Sequence, residues 1–258
     1  MAREAYDNFA AVYDQFNSAN NYEMWLGDVL LPELERHGLR TGRALDVGCG
    51  TGRAFEPLLS RGWEVIGCDV STGMLAEAKR KFGSRVRLLE ADGVDLPQID
   101  HSKTAPGRGF DLILLLNEVV NYMTEDGDLE RAFAGVRRNL HPSHGLVVFD
   151  TATASWMRDV FASGRSEEMS ARGWEWHGLS QQAVAGSTYE AQLSGRSIVP
   201  HVHRERHWTP AQVREAVEAA GLRHLALLGQ READGRVLLA KQVDEERDAK
   251  IIHLVAAS

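Results

Sequence analysis

The sequence predicts a doubly wound α/β domain with a helical arm on its N-terminal side and an antiparallel β insertion. Three observations carry that prediction. From about residue 43 to 150, short β-rich runs alternate with helix-patterned stretches. That alternation is the mark of βαβ units, hence of a parallel sheet with helices on both faces. The first β run passes directly into a turn with glycine at every second position, Gly48, Gly50 and Gly52, and then into a helix. Beyond Asp150 the composition shifts toward Trp, Ser, Gly and His in short segments that favour antiparallel strands.

In chain order, residues 1–40 form the helical arm. Its Tyr6, Phe9, Tyr13 and Phe16 fall on one helix face, as a stripe that packs on the domain would. Strands are expected over residues 44–48, 64–69, 86–90, 110–116 and 145–150, with helices over 53–61, 72–82 and 126–140. Ser71 is placed to cap the second of these helices, whose apolar side includes Met74, Leu75 and Ala78. Residues 98–109 are polar, contain Pro and Gly, and read as a surface loop.

The core is assigned to residues 41–154 and 207–243, and a cap insertion to 155–206. Thr209 as N-cap, Pro210 at the first position and Gly221 beyond the end delimit a late helix. Strands over 222–228 and 237–243 follow, joined through Asp234-Gly235 as an antiparallel hairpin. Residues 244–258 read as a tail or an oligomer contact. The expected architecture is therefore five parallel strands plus a C-terminal antiparallel hairpin, an N-terminal arm and an antiparallel β cap.

Composition narrows the function classes. With 43% hydrophobic residues over 258 positions the chain can bury a core of its own, and its two cysteines, Cys49 and Cys68, sit in strand and turn segments rather than at staple positions. Charge in the first residues argues against a secretory signal, and no run approaches the ~18 apolar residues of a membrane span. A cytoplasmic protein without a membrane partner is expected, with homo-oligomerisation left open. A net charge of −8 disfavours a nucleic-acid partner, whose backbone such a surface repels; a small-molecule partner is expected instead.

A turn this tight needs residues without Cβ, so that backbone N–H groups and the helix N-terminus face a ligand. The dinucleotide fingerprint requires a small residue where Arg53 stands, so a nicotinamide oxidoreductase is the weaker reading. The run Ala44-Leu-Asp-Val-Gly-Cys-Gly-Thr-Gly52, with Asp46 two positions before the first glycine, resembles motif I of class I methyltransferases that use S-adenosylmethionine (SAM). The resemblance implies a Rossmann-like methyltransferase sheet, SAM as cofactor and S-adenosylhomocysteine (SAH) as its product, with Asp46 ordering the loop at the methionine end. Asp69, at the end of the second strand, is placed to accept from the ribose hydroxyls, as acids about 20 positions on do in nucleotide folds. By the same resemblance Asp92 meets the adenine amine, with Gly93 permitting close approach, and Leu116 and Asn117 lie near the sulfonium. The implied cofactor set is Tyr13, Trp25, Asp46, Gly48, Cys49, Gly50, Thr51, Gly52, Asp69, Val70, Met74, Asp92, Gly93, Leu116 and Asn117.

The segment Tyr6-Asp-Asn-Phe-Ala-Ala-Val-Tyr13-Asp14 resembles the arm of small-molecule methyltransferases, among them glycine, sarcosine and antibiotic amino-sugar N-methyltransferases. It implies an arm closing over SAM and an acceptor site under the cap. Asn117-Glu118-Val119-Val120 lacks the Pro-Pro-aromatic run of DNA amino methylases. His201, His203 and His207 alternate, but no carboxylate obviously completes a metal site, and none is assigned. Tyr13, Tyr122, His201 and His203 are the candidates for positioning or deprotonating an acceptor. Methyl transfer needs alignment more than covalent help, so the lack of an obvious catalytic dyad favours an amine acceptor over a hydroxyl. A SAM-binding protein that acts only through its cap remains the alternative.

Overall fold

The computed structural model describes residues 2–18, 22–100, 109–162, 166–170, 173–180, 184–233 and 236–258. The arm opens with α1 (Ala2–Phe16), followed by α2 (Tyr22–Met24), a π-helical turn at Trp25–Leu30, and α3 (Leu31–Arg36).

Alternation of hydrophobic strands with amphipathic helices then builds the sheet. β1 (Arg43–Val47) lies between β2 (Glu64–Asp69) and β4 (Leu112–Leu115). β3 (Arg87–Glu90) flanks β2, β5 (Leu146–Ala152) flanks β4, and all these pairings are parallel. The connecting helices are α4 (Glu56–Ser60), α5 (Thr72–Phe82) and α6 (Asp128–Asn139). Ser71 caps α5 by accepting the Met74 N–H, as its sequence position predicts.

Because strand side chains alternate, each face of the sheet carries its own core. Leu45, Val47, Ile113, Leu115 and Phe149 pack with Phe133 and Val136 of α6. On the other face Ala44, Leu112, Leu114 and Val148 meet Leu26, Leu30, Leu34, Phe55 and Phe82. Burying each such leucine or phenylalanine contributes about 1.5–3 kcal/mol.

The C-terminal part corrects one expectation. The predicted hairpin exists as β10 (Leu222–Ala233) and β11 (Arg236–Ala240), though its Asp234-Gly235 turn lies outside the described residues. The segment read as a tail contains β12 (Lys250–Ala257), which inserts between β5 and β10, antiparallel to both. The reason is in its composition. Ile251, Ile252, His253, Leu254 and Val255 are all buried, and a strand apolar on both faces finds no solvent side at a sheet edge.

After β5 come α7 (Ala154–Phe161) and the cap, an antiparallel sheet of β6 (Ser166–Ser170), β7 (Trp174–Gly178), β8 (Thr188–Gly195) and β9 (His201–Arg206). The chain returns to the core through α8 (Pro210–Ala219), where Thr209 and Gln212 form the reciprocal capping box.

The arm sits between cap and core. Phe9 and Ala10 of α1 pack with Met74 of α5 and with Trp174 and Leu193 of the cap. The Asp7 carboxylate accepts the Ser71 hydroxyl at 2.6 Å and the Gly73 N–H at 2.8 Å, so α1 completes the N-terminal cap of α5. Asp14 accepts the Thr51 hydroxyl at 2.6 Å and the Lys81 ammonium at 2.8 Å. The two acids of the arm motif thus anchor the arm to the first two strand–helix turns.

Candidate functional site

The glycine turn leaves β1 at the carboxyl end of the parallel sheet, where open α/β sheets form their crevice. Gly48 and Cys49 N–H groups both donate to the Cys68 carbonyl, fixing the turn against β2. Gly48 has φ +70°, and a Cβ there would stand 2.5 Å from Val119; Gly50 has φ +53° and nothing within 4 Å. The first glycine is required by packing. The second opens onto a cavity.

That cavity, of about 290 Å³, is lined by the arm, the turn and the ends of the parallel strands. Of the predicted cofactor residues, Tyr13, Gly48, Cys49, Gly50, Thr51, Asp69, Val70, Met74, Asp92, Gly93, Leu116 and Asn117 line it. Three stand elsewhere. Gly52 has φ +88° and faces the Phe55 and Phe82 rings, 2.5 Å from where its Cβ would be, so packing accounts for it. Trp25 lines a second cavity and donates its indole N–H to Gln230 at 3.0 Å. Asp46 lies beneath the turn, buried, and its Oδ2 has no hydrogen-bond partner among the described residues.

The acids differ in what they already hold. Asp69 accepts the Gly50 N–H on Oδ2 and the Ser71 N–H on Oδ1, both at 2.8 Å. It ties the turn to α5, and each oxygen keeps a lone pair for the cavity. Burial lifts the Asp69 carboxyl despite these donors. Burial lifts Asp46 further, with Asp69 adding repulsion. Exposed Asp92 accepts the Val94 N–H at 2.9 Å, an Asx turn that leaves its other oxygen for a ligand. Burial raises both cysteine thiols, so neither is a ready nucleophile.

The second cavity, about 720 Å³, runs under the cap, and Tyr6, Tyr13, Tyr22, Leu116, Asn117 and Tyr122 line both cavities. Of the predicted catalytic residues, Tyr13 and Tyr122 stand at this junction, His203 lines the second cavity, and His201 lines neither but touches His203. The Tyr13 hydroxyl accepts from Asn117 Nδ2 at 3.3 Å. The Tyr122 hydroxyl lies 2.7 Å from His203 Nδ1, and His203 Nε2 lies 3.1 Å from His201 Nε2. The chain of bonds fixes the neutral tautomers. The Val199 carbonyl can only accept, so His201 Nδ1 carries the proton at that 2.8 Å contact. His201 Nε2 is then an acceptor, His203 Nε2 the donor, and His203 Nδ1 accepts from Tyr122.

Burial, with His201 alongside, lowers His203 to about 3, so its ring is neutral and weakly basic. Burial holds Tyr6, Tyr13 and Tyr122 well above the ordinary phenol range. These groups orient a ligand better than they deprotonate one. His207 lies past the end of β9 and accepts the Gly186 N–H at 3.0 Å.

The sequence reading missed a buried charged cluster on the same cavity. The Asp150 carboxylate accepts the backbone N–H groups of Asn117 and Glu118 at 2.8 and 2.7 Å. Both residues adopt left-handed φ, 67° and 62°, which side chains rarely tolerate without such anchoring. Lys250 Nζ lies 2.7 Å from Glu118 and 3.4 Å from Asp150. Burial alone would lower Lys250, but Asp150 and Glu118 outweigh it and keep the ammonium charged. Glu205 of β9 is buried with Oε2 unpartnered, and burial followed by Glu118 raises its carboxyl. Its position was legible, since period two puts it on the face of His201 and His203. Lys250 was hidden in the supposed tail.

Residues 44–143 match the family model described as a methyltransferase domain. The protein YqeM of Bacillus subtilis is 31% identical over 160 residues, covering 60% of this chain and 59% of that protein. The chain thus spans about three fifths of the length of the first curated relatives it matches. A SAM-dependent methyltransferase from Clostridium acetobutylicum superposes with a TM-score of 0.77 at 22% identity, covering 98% of this chain and 99% of that one. An amino pentose methyltransferase from Micromonospora echinaspora, involved in calicheamicin biosynthesis and solved with SAM bound, gives 0.66 at 20% identity, covering 96% and 97%. At such identities the likeness shows the fold.

Proposed function

We propose that this chain, whose residues 44–143 match the methyltransferase-domain model, is a SAM-dependent methyltransferase that acts on a small-molecule amine, in preference to a hydroxyl. The observation that carries the reading is the pair of cavities meeting at Tyr13, Asn117 and Tyr122, one over the glycine turn and one under the cap.

The residues present fit the cofactor. Gly50 leaves open space, Asp69 and Asp92 line the cavity and each retain acceptor capacity toward it, and the buried Asp46 carboxyl sets a negative charge beneath the turn. When bound, SAM supplies an electrophilic methyl group. The chain's own part is alignment and exclusion of water. Tyr13 and Asn117 stand at the junction, and α1, wedged between cap and α5, contributes Tyr6 and Tyr13 to the walls of both cavities. Arg53 also lines the first cavity, with its guanidinium 5.1 Å over the Tyr22 ring, where a dinucleotide turn needs a small residue.

The tilt toward amines follows from the cavity under the cap, which is rich in carboxylate and aromatic groups and whose tyrosines and His203 are poorly suited to deprotonate an alcohol. A role in specialised biosynthesis, such as antibiotic assembly, is part of the proposal. Calorimetric titration with SAM, SAH and NADH tests the cofactor. Incubation with SAM and pooled amine and hydroxyl metabolites, read by mass spectrometry, tests the transfer. SAM binding without any product one methylene heavier leaves a non-catalytic binder as the reading.

A further inference from the structure

The cavity under the cap holds more acid than base. Glu118, Asp150 and Glu205 line it, and Lys250 is the only Lys or Arg among the described residues that does. Lys250 is committed to Glu118 at 2.7 Å and Asp150 at 3.4 Å. Among the described residues none forms an ion pair with Glu205, and Lys250 acts on it only at longer range.

It is also short of donors. The Tyr122 hydroxyl stands between His203 Nδ1 and the Glu205 carboxylate and has one proton for both. Among the described residues nothing donates to Glu205 Oε2, although the residue is 3% exposed. A buried, unpartnered carboxylate oxygen is costly, and the cost vanishes if a ligand brings both a positive charge and N–H donors. The surroundings suit such a ligand. Trp176 lines the same cavity with its ring centroid 5.0 Å from that of His203, and the Tyr6 and Tyr122 rings meet edge-on with centroids 5.4 Å apart. Aromatic faces attract an ammonium while rejecting water.

We propose that Glu205 is the receptor for the acceptor's amine, taking hold of it as an ammonium and accepting one of its protons before methyl transfer. This rests on the methyltransferase reading. The step balances. An N–H proton passes to Glu205, which becomes the neutral acid, and the nitrogen gains a free electron pair. That pair forms the new bond to the methyl carbon as the carbon–sulfur bond breaks, with its electrons staying on sulfur. The methylated ammonium then leaves with its proton, and Glu205 gives its own to solvent. The elevated carboxyl of Glu205 makes it a better proton acceptor than an ordinary glutamate, whereas His203 is disqualified by its lowered value.

The test uses the full chain loaded with SAH. Benzylamine and glucosamine, with benzyl alcohol and glucose as neutral counterparts, are titrated by calorimetry into the wild type, Glu205→Gln and Glu205→Asp. The expected result is binding of at least one amine in preference to its neutral counterpart, weakened about 30-fold or more by Glu205→Gln and partly restored by Glu205→Asp. SAH affinity stays within about twofold in both variants, which shows that they are folded. Neutral probes binding as well as amines, no amine binding, or an unaffected Glu205→Gln variant each overturn the proposal. Failure of the wild type to bind SAH instead overturns the methyltransferase reading and takes the proposal with it.

Discussion

The Tyr122 hydroxyl and His203 Nδ1 lie 2.7 Å apart, joining the turn after β4 to the cap strand β9 across the cavity junction. Because His203 is neutral in the fold, with its value lowered to about 3 by burial, this bond needs no charge. An unfolded histidine protonates near pH 6.5. Below that pH the unfolded chain therefore binds a proton that the folded chain refuses, and stability falls as pH drops from about 6.5 toward 3. The raised carboxyls of Asp46 and Glu205 act in the opposite sense, gaining stability as they protonate. The difference between wild type and His203→Gln isolates the histidine. Denaturant unfolding across that window is expected to show a smaller acid loss in the variant, by a few kcal/mol at about 1.4 kcal/mol per unit.

Asp46→Asn separates binding from folding. Removing a buried charge with no partner is expected to leave the melting temperature unchanged or raise it. The same change removes the negative charge beneath the glycine turn, so SAM affinity is expected to fall about tenfold, the equivalent of about 1.4 kcal/mol. A fall in stability with SAM affinity intact refutes the assignment.

Lys250→Met strands Glu118 and Asp150 in the interior. Breaking a buried pair on one side costs about 3–5 kcal/mol, and Glu118→Gln in the same chain is expected to recover much of it. The two single variants and the double variant, compared by urea unfolding, close the cycle. Additive losses mean that the pair is not coupled.

Glycines 50 and 52 have different jobs and different penalties. Gly52→Ala pushes a methyl to 2.5 Å from Phe55 and Phe82 at φ +88°, so a loss of about 2–4 kcal/mol in stability is expected. Gly50→Ala meets nothing within 4 Å and is expected to cost only the left-handed backbone term, about 1–2 kcal/mol. Its larger effect falls on SAM affinity, since the new methyl projects into the cavity. Paired thermal melts and SAM titrations distinguish the two.

The sequence by itself determined the parallel sheet, the glycine turn after β1, the Ser71 and Thr209 caps and the aromatic face of the arm. Each is written in neighbouring residues, through period-two strands, 3.6-residue helices or a turn only glycine permits. It also placed most of the residues that line the cavity over the glycine turn, because those stand at the carboxyl ends of consecutive strands, a location that follows from βαβ topology. The tertiary structure alone decided what lies opposite them. The Ile251–Val255 run marks burial, but only the assembled sheet shows β12 entering between β5 and β10 and carrying Lys250 to Glu118 and Asp150, more than a hundred and about a hundred residues away in the chain. Glu205 shared a readable face with two histidines, yet its missing partner became visible only once β9 was laid over Tyr122 and Glu118. Local periodicity sets which way a side chain faces. Which faces meet, and which charges are left uncompensated between them, is settled by contacts far apart in the chain.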